Sequence, residues 1–138
     1  MLDVQNRQPF FMYDGVNIGF QGTLPQDAPL FEIAELLGGT LEVEPLCRGS
    51  QERIIRNVAV VSGGGGIDSL FAAKAAGADL LITGEMEHIM HHAALELDVA
   101  VLALGHYASE TTGVLAMQKL VAEKFGLETV FAEIPTGL

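Results

Sequence analysis

The chain has 138 residues, 49% of them apolar and 7% aromatic, enough for one core within the usual domain size of roughly 100–150 residues. Eighteen acidic against seven basic residues give a formal charge of −11, which repels phosphate backbones and anionic bilayers and argues against nucleic-acid or membrane partners. No apolar run approaches the roughly 18 residues of a membrane span, no cationic start precedes an apolar stretch at the N-terminus, and a single Cys47 excludes an internal disulfide and a thiolate zinc cluster; a reducing cytoplasm is the expected setting.

Phe10–Tyr13 and Val16–Phe20 flank Asp14-Gly15, a dipeptide suited to a tight hairpin turn. Asp27 offers an N-cap and Pro29 a first-turn residue for a helix with apolar spacing at Leu30, Ile33, Ala34, Leu36 and Leu37, which Gly38-Gly39 is expected to stop. Leu41, Val43 and Leu46 alternate with Glu42, Glu44 and Pro45 as in a half-exposed strand. Ile54-Ile55 and Val58–Val61 form a buried strand that runs into Ser62–Gly66, followed by a helix over 67–76 that closes at Gly77. A strand over 79–83, a helix over 86–97, a strand over 99–104 and a helix over 108–125 follow, and Leu127–Ile134 supplies a last strand. Strands alternating with helices of this length mean an α/β protein, a layered mixed sheet with flanking helices. Residues 1–138 form a single domain, with 1–50 giving the hairpin, helix and strand and 51–138 the alternating portion.

The sharpest chemical signal is Gly105-His106-Tyr107-Ala108-Ser109-Glu110, where an apolar strand ends and a helix begins. Open α/β sheets place their ligands at such strand ends. Four residues apart, His106 and Glu110 can converge on one point, and imidazole with carboxylate suits zinc, iron or manganese. The same pair also fits a histidine that merely ends a strand and a glutamate in a helix's first turn. Glu85 follows the neighbouring strand's end and so belongs to the same crevice. Glu85, His88 and His92 share a helical face if a helix starts near 85, although histidines there also serve as half-buried hydrogen-bonders. Adjacent His91 and His92 point roughly 100° apart and cannot both join one tight site. Gly63, Gly64 and Gly65 stand between strand and helix, where backbone N–H groups cradle a phosphate or carboxylate, or where a crossover packs tightly.

Taken together, Val58–Gly66, Ala78-Asp79-Leu80-Leu81-Ile82-Thr83-Gly84-Glu85, His92 and Gly105–Glu110 with Gly113 resemble the C-terminal part of the Nif-three family, whose members carry the label GTP cyclohydrolase I type 2 homologue. Pro9-Phe10, Tyr13, Gly15, Ile18-Gly19-Phe20 and Gly22 resemble that family's middle segment. The resemblance implies a dinuclear divalent-metal site in which His106 binds one ion and Glu110 binds or bridges both, with Thr83-Gly84-Glu85 lining the cavity. It also implies a homo-oligomer, often a hexameric ring. Family members are about double this length, and their N-terminal half brings a His-His-Pro motif and an aspartate as the remaining ligands. Here His91-His92 is followed by Ala93, so that motif is not displaced into this segment. The expectation is a metal-dependent hydrolase acting on a small phosphate- or nucleotide-like substrate, with Glu85 moving the proton. A non-catalytic module for small anions or nucleotides, or an assembly domain, is the alternative.

Overall fold

The computed structural model describes residues 2–136. Its elements run β1 (Gln5–Tyr13), β2 (Val16–Pro29), α1 (Leu30–Leu41), β3 (Leu46–Arg48), β4 (Ile54–Val61), α2 (Gly66–Ala75), β5 (Leu80–Thr83), α3 (Met90–Leu97), β6 (Ala100–Ala103) and α4 (His106–Phe125). One six-stranded sheet has the order β1-β2-β4-β5-β6-β3. β4, β5 and β6 are parallel neighbours, while β1, β2 and β3 pair antiparallel. The expected α/β class and mixed sheet are thus observed.

The two-residue period of the strands divides the core into two faces. Ile55, Val58, Leu80, Ile82 and Leu102 face α1 through Leu30, Ile33 and Leu37. Ala59, Val61, Leu81 and Val101 face α2 and α3 through Leu70, Ala73, Met90 and Ala94. Burial on both faces explains why β5 and β6 are fully buried and, apart from Thr83, apolar. Asp14-Gly15 forms the expected hairpin turn, with both residues at positive φ.

Several expectations fail for identifiable reasons. Asp27 caps nothing: it lies within β2 and pairs with Arg56, and Pro29 holds the N-cap position of α1. Gly38-Gly39 does not stop α1, which continues to Leu41 and ends at Glu42 in the left-handed region. Gly38 serves close approach, because a Cβ there would stand 2.6 Å from Pro45 Cγ. We therefore expect Gly38→Ala to cost roughly 1–3 kcal/mol, the usual range for overpacking, and Gly39→Ala, which meets nothing within 4 Å, to be neutral or mildly stabilising; urea unfolding of the two variants checks the contrast. The strand expected at Leu41–Leu46 shrinks to β3, since Leu41 belongs to the helix. α3 begins at Met90 and not at 86. Leu127–Ile134 joins no ladder among the described residues.

Candidate metal centre

The register of the parallel strands sets Val61, Thr83 and Ala103 side by side. The segments that follow them therefore meet along one edge. Their backbones are tied together: Gly84 N–H and Glu85 N–H donate to Gly63 O at 2.9 and 3.1 Å, and Gly105 N–H donates to Gly84 O at 2.9 Å. Buried Thr83 adds a bond from Oγ1 to Gly63 O at 3.2 Å. Ser109 Oγ accepts from Gly63 N–H and donates to His106 O, both at 2.9 Å. This lattice fixes the glycine turn against the first turn of α4. Sequence reading gave no sign of Thr83 or Ser109 in that role, because the contacts join residues 20 and 46 positions apart.

α4 starts at His106, two residues earlier than expected, so His106 and Glu110 lie one turn apart within a single helix. His106 Nδ1 is 2.7 Å from Glu85 Oε1, and His106 Nε2 is 3.3 Å from Glu110 Oε1. The geometry thus joins all three residues expected to meet. Glu85 binds the imidazole on the side away from Glu110. That bond makes Nδ1 the protonated nitrogen and leaves the Nε2 lone pair turned toward a carboxylate. Two electron-rich atoms that close need a proton or a cation between them. The hydrogen bond that Nδ1–H donates to Glu85, aided by the charge of Glu110, accordingly raises the His106 pKa above its ordinary value against a weaker opposing effect of desolvation.

The donors present fit a divalent ion. Bonds of about 2.1 Å at angles between roughly 90° and 109° separate two donors by about 3.0–3.4 Å, and the Nε2–Oε1 separation falls inside that span. Space exists as well: Gly63, at φ +66°, holds open a cradle in which a Cβ would stand 2.5 Å from Glu110 Oε1 and 3.1 Å from His106 Nε2. Among the described residues no third His, Cys, Asp or Glu joins the pair. Among the described residues, two such side chains stand together.

The condition for a shared face at Glu85, His88 and His92, a helix starting near 85, is not met. With α3 beginning at Met90, His88 lies outside the helix and shares no helical face with Glu85 and His92. His91 Nδ1 accepts from Arg48 Nε at 2.7 Å, and its ring meets His92 edge-on at 4.9 Å. Gly64 and Gly65 face Glu85 and Ser69 respectively.

The model of the Duf34/NIF3 (NGG1p interacting factor 3) family matches residues 1–137. The chain belongs to that family. A GTP cyclohydrolase 1 type 2 homolog from Pyrococcus abyssi is 46% identical over 143 residues, covering 100% of this chain and 55% of that protein. The homolog from Archaeoglobus fulgidus is 43% identical, covering 99% of this chain and 54% of the relative. Among solved structures, TTHA1606 from Thermus thermophilus superposes with TM-score 0.73 at 33% identity, over 95% of this chain and 51% of that one. Protein ybgI, described as of unknown function, gives TM-score 0.78 at 28% identity over 93% and 52%. This NIF3 chain therefore spans about half the length of the relatives it matches.

Proposed function

We propose that this chain carries one half of a divalent-metal centre, with His106 Nε2 and Glu110 as ligands, and that the completed centre hydrolyses a small phosphate- or nucleotide-like substrate. The observation that carries the reading is His106 Nε2 set 3.3 Å from Glu110 Oε1 beside the glycine turn at Gly63. Zinc, iron or manganese bound there, two ions in a complete site, supplies Lewis acidity and lowers the pKa of bound water toward neutrality. The 2.7 Å contact from His106 Nδ1 to Glu85 supports a role for Glu85 in holding the imidazole tautomer and in carrying a proton for the reaction. The turn at Gly63, Gly64 and Gly65 takes a substrate phosphate only with a cation between them, because Glu85 and Glu110 both face it. The remaining donors come from outside this segment, and subunits assemble as a homo-oligomer.

Elemental analysis after loading with manganese, zinc or iron and desalting tests the reading. The expected result is about one ion per chain, weakly held. Metal far below that level for every ion would remove it. Glu85→Gln should lower metal affinity about 10–100-fold, the usual effect of removing a carboxylate that orients a ligand histidine, while leaving the unfolding midpoint almost unchanged, since both side chains are more than a third exposed. Competition titration against a chromophoric chelator measures the first effect and urea unfolding the second.

A further inference from the structure

A cavity of about 430 Å³ lies beside the candidate centre, on the α1 side of the sheet. Its size falls within the roughly 300–1,000 Å³ of small-molecule sites. Leu37 of α1 and Val60, Ile82 and Leu104 at the carboxyl ends of the parallel strands give it an apolar floor, the place where open α/β sheets receive ligands. One wall is the start of α4, where Ser109, Glu110 and Gly113 are spaced to share a helical face. Glu110 therefore borders both this cavity and the glycine turn beside His106.

Two features of the lining have no purpose in the fold itself. Glycine inside a helix is less favourable than alanine, and neither usual reason for one applies at Gly113. Its φ is not positive, and a Cβ added there would meet nothing within 4 Å. What the missing side chain leaves is room in the cavity. Arg7 is the one basic side chain among the described lining residues, as Glu110 is the one acidic. Its Nε donates to Val4 O at 2.8 Å, and its Cζ stands 5.6 Å from the centre of the Phe20 ring. Both Nη groups are without a protein partner among the described residues. A guanidinium held in this way offers paired donors to an anion beside a flat face on which a ring can stack.

We infer that this cavity is the subsite for the organic part of the substrate, an aromatic ring carrying one anionic group. The ring lies on the apolar floor against Gly113, with Phe20 as an aromatic neighbour, and the anion meets Arg7. In a chain of charge −11, that cation is what admits an anion here without a metal. Binding of the ring and its anion stands on the cavity alone. Only the further step, in which the ring brings a phosphate ester to an ion at Glu110, rests on the metal reading.

The test uses the whole chain in EDTA, with naphthoate as the probe and naphthylmethanol as its uncharged counterpart, followed by NMR shifts. Expected are shifts at Ile82, Leu104 and residues 109–113 that saturate with one naphthoate per chain. Gly113→Leu should weaken both probes by about 10-fold or more by filling the space. Its thermal unfolding should stay the same or rise, because leucine favours the helix and its Cβ meets nothing. Arg7→Gln should weaken naphthoate by about 10-fold, the usual worth of a hydrogen bond to a charged group, and leave naphthylmethanol unchanged, a split that a merely structural role would not produce. Shifts confined to 114–125, or a Gly113→Leu chain that binds as well as its parent, would overturn the inference. So would an equal loss of both probes in Arg7→Gln. With manganese added, naphthyl phosphate should bind roughly 10-fold tighter than in EDTA; ring shifts that persist without that gain would sink the metal reading alone.

Discussion

Gly63→Ala is expected to weaken metal binding at least 100-fold and to destabilise the fold by roughly 1–2 kcal/mol. Two physical costs meet at one residue. The backbone sits at φ +66°, where an L side chain costs roughly 1–2 kcal/mol. The new methyl would also stand 2.5 Å from Glu110 Oε1 and 3.1 Å from His106 Nε2, filling the space an ion needs. The nearer atom ends the exposed Glu110 side chain, which can swing aside at little cost to the fold but at the cost of its place beside His106; the rest of the turn is tied in place. His106 is held through Nδ1 by Glu85, and Gly63 is held at both its N–H and its carbonyl by Ser109, Thr83, Gly84 and Glu85. Gly77→Ala supplies the control: its φ is +72° with nothing within 4 Å of the added Cβ, so it should lose comparable backbone energy and keep metal affinity. Urea unfolding and chelator competition on both variants separate the two costs. Equal metal affinity in both would mean that the cradle is not the ion's place.

The parts of this molecule that could be read from its sequence are those that short-range rules determine. The Val58–Val61 end of β4, with β5 and β6, announces itself as short, largely apolar runs because both sheet faces are covered, and Asp14-Gly15 dictates its own turn. The meeting of Glu85 with His106 also follows from sequence once β5 and β6 are taken as parallel neighbours, since their ends must then adjoin. Misreadings arise where a distant contact decides. Gly38 reads as a helix stop until Pro45 is seen against it. Asp27 reads as a cap until Arg56, on another strand, claims it. Leu127–Ile134 has the composition of a strand, but a strand exists only with a partner. The role of Ser109 was hidden because a serine in a helix's first turn usually bonds its own helix; this one does so and also receives Gly63 N–H from across the sheet edge.

His106→Ala should abolish measurable metal uptake, because it removes one of the only two donors that stand together among the described residues. The same variant should change how pH acts on the chain, and the signs follow from one pKa. Glu85 and Glu110 raise the His106 pKa above its ordinary value. Without metal, the protonated ring attracts both carboxylates. Its stabilising effect, small because all three side chains are more than a third exposed, is complete below the ordinary histidine pKa and disappears as pH rises through the raised folded value. With metal the dependence reverses, because the ion takes the Nε2 lone pair that the proton otherwise holds: affinity should climb as pH rises through the same raised value and level off above it. His106→Ala should flatten the chain's stability profile across this window in EDTA and remove metal uptake at every pH. Glu110→Ala should keep the bond to Glu85 and so retain part of the stability profile while losing the metal. Unfolding curves from about pH 5 to 9, spanning the ordinary histidine range and the raised value above it, with and without manganese, check all of these signs. A wild-type chain whose affinity does not change across that range would show that the ion and the proton do not compete for Nε2.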